Sequence, residues 1–148
     1  MLTKIIRVID NTITRVIYKG GKMEQVPSIS EAEHQVMKVI WKDNPITAME
    51  IIEVLTKTTD WKFKTIKTLL NRLLTKKAIG YEKTGREYNY YPLIKEADFV
   101  KAESHMFLKR IFGGATKPML VSMVENEDLT LEDLDEIRKH IVEKKKGK

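Results

Sequence analysis

Between Trp61 and Tyr81 the chain reads WKFKTIKTLLNRLLTKKAIGY, a stretch with a strong helical period and no Asp or Glu. Ile66, Leu69, Leu70 and Leu73 fall at the i, i+3, i+4, i+7 spacing that gathers four apolar side chains on one face of an α-helix. The other face is then fixed: Lys64, Lys67, Thr68, Asn71 and Thr75, flanked by Thr65 and Arg72, with Lys62, Lys76 and Lys77 at the two ends. These groups bond phosphate oxygens or base edges, and no carboxylate among them repels a polyanion. Solvated helices ordinarily mix both signs, because Glu and Lys four apart support each other. This helix forgoes that support, and its pattern predicts a helix that lies in a DNA major groove.

Net charge alone does not carry the same inference. The chain of 148 residues has a formal charge of +6, but five cations (Lys4, Arg7, Arg15, Lys19, Lys22) against the single acid Asp10 put four of those charges in the first 22 residues. A case for nucleic acid therefore rests on where the charges sit. A hydrophobic content of 42% with 32% charged residues describes a globular protein. The absence of cysteine excludes disulfides, thiolate zinc sites and a cysteine nucleophile, and suits a reducing cytoplasm.

Residues 1–27 are expected to form an N-terminal extension outside the folded domains. Arg7, Asp10 and Arg15 interrupt its apolar residues, so it holds no core for a signal peptide or membrane span. Three readings are open: a disordered arm, a basic arm that touches DNA, or an artefact of start-site choice. The third is favoured, because Lys19-Gly20-Gly21 before Met23 is what a purine-rich ribosome-binding site ahead of an ATG encodes.

Ser30 and Glu33 form an S-x-x-E capping box that opens a helix to Asp43, with Ala32, Val36, Met37, Ile40 and the large Trp41 toward a core, and Asn44-Pro45 stops it. Thr47 and Glu50 cap a second helix to about Lys57, with Ala48, Ile51, Ile52 and Leu55 inward. Two capped helices followed by an acid-free one give the order of a helix-turn-helix unit. After Ala78-Ile79 the period changes: Tyr81, Lys83, Tyr88 and Tyr90 alternate with polar neighbours across Thr84-Gly85-Arg86, as in two strands joined at a glycine turn. Residues 28–94 are thus expected to be a winged-helix DNA-binding domain, with Lys83 and Arg86 reaching phosphates or the minor groove from the hairpin.

Residues 95–148 are expected to be a helical dimerisation domain. A helix from Ile94 to Phe112, with Val100, Phe107, Leu108 and Ile111 inward, ends at Gly113-Gly114; PMLVSMV at residues 118–124 is a short apolar helix; Thr130 with Asp133 opens the last. Leu131, Leu134, Ile137 and Ile141 follow the spacing of a helix-to-helix seam. So little chain has too little of its own surface to bury against, and a second copy supplies the rest. Leu120, Val124, Leu134, Ile137 and Ile141 are the expected dimerisation residues. The fold class is mainly α with a small β-hairpin.

Assembled in order, the chain from about Ser28 to Ile141 resembles the penicillinase repressor family, bacterial winged-helix repressors of β-lactamase and methicillin-resistance genes. The likeness is carried by ISEAEHQVMKVIW at Ile29–Trp41, KTIKTLLNRL at Lys64–Leu73, YNYYPL from Tyr88, SHMFLKRIFGG at Ser104–Gly114 and ENEDL at Glu125–Leu129. The resemblance implies a dimer on an inverted-repeat, double-stranded DNA operator with TACA/TGTA-like half-sites. Lys64, Thr65, Lys67, Thr68 and Arg72 match the family's recognition-helix positions; Lys62, Asn71, Lys83 and Arg86 complete the expected DNA-binding set. It also implies induction by proteolysis at Met106-Phe107, through a membrane-bound sensor with a cytoplasmic zinc-protease part. Two departures bear on this. Lys62-Phe63 stands where relatives often have Ser-Pro, which removes a hydroxyl cap, and Met106 stands where they tend to have a small polar residue. Copper-responsive relatives use C-terminal cysteines that this chain lacks.

Enzymatic chemistry finds no constellation to work with. His34, His105 and His140 lie in separate helices, without HExxH spacing or a glycine-rich phosphate loop, so no catalytic residue, metal or cofactor is expected. The rival reading is a winged-helix protein-interaction adaptor without operator specificity, which would tolerate acids on the third helix.

Overall fold

A computed structural model of the chain describes residues 7–9, 12–19 and 22–147, with side chains from Gln25 onward. The folded chain divides into two compact units, the first ending at Glu103 and the second beginning at Ser104.

In the first unit, β1 (Arg7–Ile9), β2 (Thr12–Lys19) and β3 (Lys22–Val26) form an antiparallel sheet in sequence order, with Ile9 opposite Thr12 and Lys19 opposite Lys22. These strands fall within residues 1–27, for which the sequence leaves a disordered arm, a DNA-touching arm or a start-site artefact open. Thr12–Lys19 is rich in β-branched residues, which suit a pleated strand. Val26, at the end of β3, is 3% exposed and belongs to the unit's core.

The winged-helix order follows: α1 (Glu31–Lys42), β4 (Ile46–Thr47), α2 (Ala48–Thr58), α3 (Phe63–Thr75), β5 (Ile79–Thr84) and β6 (Glu87–Pro92). The capping boxes at Ser30/Glu33 and Thr47/Glu50 are both formed, each satisfying backbone N–H groups that a helix start leaves without partners. The hairpin pairs Thr84 with Glu87, which makes Gly85-Arg86 a two-residue loop; Gly85 takes φ +64, where a side chain is strained. β4, too short to be read from the sequence, pairs Ile46 with Tyr90 and completes a sheet of order β4-β6-β5. Gly80 lies opposite Tyr91, and a Cβ there would sit 2.7 Å from the Tyr91 ring.

The core has one side chain set from each helix: Val36, Met37 and Ile40 from α1, Ile51, Ile52 and Leu55 from α2, and Ile66, Leu69, Leu70 and Leu73 from α3. Ile46, Ile79 and Tyr90 close it from the sheet. Each buried aliphatic side chain contributes about 1.5–3 kcal/mol.

α4 (Glu96–Phe112) begins in the first unit, which is why that unit runs past Ile94. Its buried residues are Phe99 and Ala102, whereas Val100, expected inward, is 50% exposed. The aromatic decides the rotation: the Phe99 ring lies 5.5 Å from Trp41 and 5.0 Å from His34, and an aromatic cluster outweighs one valine. Trp41 also donates its indole N–H to the Ile94 carbonyl.

The second unit holds the rest of α4, α5 (Thr116–Glu125) and α6 (Leu131–Lys146). Gly113 and Gly114, both at positive φ, end α4, and Thr130 with Asp133 forms the capping box of α6. Neither α5 nor α6 buries a residue. No described helix is long and apolar enough to cross a membrane.

Candidate nucleic-acid interface

α3 takes its position from its apolar stripe. With Ile66 and Leu73 at 0% exposure and Leu69 and Leu70 nearly so, the helix cannot rotate without moving four buried side chains into water. Lys62, Lys64, Thr65, Lys67, Thr68, Asn71 and Arg72 are exposed as a result. No Asp or Glu stands in its first turn, and Lys62 at the N-cap makes no side-chain cap, so the N-terminal dipole is left for an external anion. Thr68 turns its hydroxyl to the Lys64 carbonyl at 2.9 Å, as Thr75 does to Asn71 at 3.0 Å. Both hydroxyl hydrogens are spent on the helix backbone in the free chain.

The C-terminal end of α3 is tied down differently. Lys76, read from the sequence as an end of the basic face, donates its ammonium to the Glu33 carboxylate instead. Glu33 is 2% exposed and accepts from the Ser30 backbone N–H as well. Burial pushes its carboxyl up, but the Lys76 and Ser30 bonds outweigh that and hold it below the ordinary carboxylate range. The pair joins the start of α1 to the end of α3. Lys77 follows at φ +58, with the Ala78 N–H bonded to the Leu73 carbonyl at 3.0 Å, a Schellman-type stop.

The fold brings the hairpin to one side of α3. Lys67, Asn71 and Arg86 share an open cleft of about 360 Å³. Lys83 sits farther along β5 and places its ammonium 5.7 Å from the Tyr88 ring centroid. Lys64, Thr65, Thr68 and Arg72 do not line that cleft. The residues that sequence reasoning missed are Met49, Phe63 and Tyr88, which form the apolar wall of the cleft. The signal was present at Phe63, an aromatic at the start of the acid-free helix.

The other expected sites lie in the second unit. Met106 and Phe107 are both inside α4, Phe107 42% exposed and edge-on to Phe112 at 6.2 Å. Val124, Ile137 and Ile141 are exposed, and Leu120 and Leu134 are half-buried. Of the three histidines, His34 packs between Trp41 and Phe99 in the first unit.

A family model described as penicillinase repressor matches residues 29–143. The chain is 41% identical to the penicillinase repressor of Bacillus licheniformis over 126 residues, covering 85% of this chain and 98% of that one. It is 36% identical to the methicillin resistance regulatory protein MecI of Staphylococcus aureus (strain N315) over 117 residues, covering 79% and 94%. Among solved structures, the DNA-binding domain of the repressor BlaI, determined in solution, is 49% identical with a TM-score of 0.47, covering 51% of this chain and 93% of that one. The match spans both the cationic unit and the helices after it, and the chain belongs to the penicillinase repressor family.

Proposed function

We infer that this chain is a DNA-binding transcriptional repressor that acts in the cytoplasm as a homodimer on an inverted-repeat operator, one that governs a β-lactamase or related resistance gene. The observation that carries this is α3: seven exposed cationic or amide and hydroxyl side chains, Lys62, Lys64, Thr65, Lys67, Thr68, Asn71 and Arg72, on a helix locked by its buried stripe. In a helix-turn-helix dock the second helix enters the major groove and its N-terminal residues meet base edges. Lys64, Thr65 and Lys67 are the residues assigned to that role, with Asn71 and Arg72 on the bases or phosphates farther along, and Lys83 and Arg86 on the flanking backbone.

The second unit supplies the pairing, through Leu120, Val124, Leu134, Ile137 and Ile141. Two linked copies bind two half-sites with far greater avidity than one. Release follows from cutting Met106-Phe107 by a membrane-bound sensor metalloprotease, which separates the reading unit from its pairing helices. That bond lies mid-helix in α4, so the protease must first unwind a turn there.

Lys67→Glu and Arg72→Ala should each weaken operator binding about tenfold or more in a gel-shift titration and leave sedimentation unchanged. Affinity should fall steeply with added salt, because each neutralised phosphate releases condensed counterions. Unaltered affinity in both variants removes the groove assignment, and a flat salt response favours the adaptor.

A further inference from the structure

Phe63 is the first residue of α3 and 45% exposed, next to Met49 at 64% and Tyr88 at 42%. The three line one cleft, and its polar side is Thr47, Lys67, Asn71, Arg86 and Glu87, two cations against one acid. The Lys67 ammonium stands 4.9 Å from the Phe63 ring centroid. An apolar cluster open to water in the middle of a cationic surface is not explained by the core, which is complete without it. A partner that satisfies both parts must offer a hydrogen-bonding polar edge and, a few ångströms away, a small apolar group.

Duplex DNA has both, since the thymine C5-methyl is the apolar feature of the major groove, and phenylalanine is among the side chains that meet it. The first residues of a reading helix are the ones that reach base edges. Glu87 also lines the cleft, which disfavours a free anion filling it, whereas a base edge is neutral.

We propose that Phe63 is a specificity-determining residue that contacts a thymine C5-methyl in each half-site, with Met49 and Tyr88 completing the apolar wall and Lys67 braced over the ring. The assignment rests on the DNA-binding reading above.

The test uses the full chain and a duplex it selects from a randomised pool. Each thymine of that duplex is replaced in turn by deoxyuridine, which deletes only the methyl group. At one thymine per half-site the replacement should weaken binding about fourfold, the worth of one buried methyl. Phe63→Ala should bind the thymine duplex about as weakly as the parent binds the deoxyuridine one, and should no longer distinguish the two; Phe63→Leu should keep part of the discrimination. If Phe63→Ala weakens every duplex alike and keeps the parent's thymine preference, the ring only positions Lys67 and the proposal fails while DNA binding stands. If no duplex is selected, the DNA-binding reading fails and takes the proposal with it.

Discussion

The two units of the molecule spend their apolar residues in opposite ways. The first buries Val36, Ile40, Ile51, Ile66, Leu70 and Leu73 almost completely and sends its cations outward. In the second, Ile111, Val121, Val124, Leu131, Ile137, Ile141 and Val142 are all exposed, and no residue of α5 or α6 is buried. Similar side chains thus mean different things by context. A helix whose stripe is buried within its own chain has a fixed outer face and can present a reading surface. A helix whose stripe faces water lacks part of its core, and in the proposed dimer a second copy supplies it.

The comparison breaks most directly at the exposed seam. Ile137→Asp combined with Ile141→Asp should convert the proposed dimer to monomer by sedimentation, since each change places a charge where an aliphatic side chain contributes about 1.5–3 kcal/mol on burial. The first unit should not notice. Both tryptophans, Trp41 and Trp61, pack against its core, so fluorescence-detected unfolding reports that unit alone. The midpoint should stay at the parent value while helical circular dichroism falls. A surviving dimer places the seam elsewhere, and a shifted fluorescence midpoint means the units do not fold independently.

How much of this was readable beforehand follows the same division. Capping boxes and the three-and-four spacing are local, so all six helices, their starts at Ser30, Thr47 and Thr130, and the buried face of α3 were legible. The exposed cations of α3 followed, because a buried stripe leaves the opposite face no choice. What failed was set by distant partners. Val100 and Phe99 are adjacent, and only the rings of Trp41 and His34 decide which turns inward. Lys76 belongs to the basic face by sequence and to Glu33 by folding, 43 residues away. β4 has no strand pattern of its own and exists because Tyr90 and Asn89 offer it an edge. The early strands have a local signal of their own in the β-branched run of Thr12–Lys19. At Phe63 the sequence shows only a missing cap, because the cleft that the ring lines is completed by Met49 and Tyr88 from other elements.

A second prediction sharpens the claim that the first unit is held from within. Glu33→Gln keeps an acceptor for the Ser30 N–H but removes the charge that Lys76 answers. It should lower the fluorescence-detected stability by about 2 kcal/mol at neutral pH, the scale of a charge-assisted bond to a buried group. Lys76 is about one-third exposed, so water recovers part of the loss and the effect stays below that of a fully buried pair. Sedimentation should be unaffected. Unchanged stability would mean that the ammonium finds equal solvation without its partner, and α3 is then located by its apolar stripe alone.

The smallest expected effect is a pH dependence that belongs to the first unit only. Burial beside Trp41 and Phe99 lowers the His34 pKa, and Lys38 lowers it further, against opposition from Glu103 and Glu96. A base whose folded pKa is depressed is favoured neutral in the native state, so the unfolded chain binds more protons between the two pKa values and stability there rises with pH. The contribution is complete above the ordinary histidine value of 6.5 and is lost as pH falls from there through the lowered one. Glu33 acts in a separate window, since its stabilisation fades only below the ordinary carboxylate value of 4.5. Denaturant midpoints by tryptophan fluorescence should therefore decline on mild acidification in the parent and stay level in His34→Gln, with sedimentation unchanged in both. An equal slope in the variant would assign the decline to another group and leave the ring among Trp41 and Phe99 as packing alone.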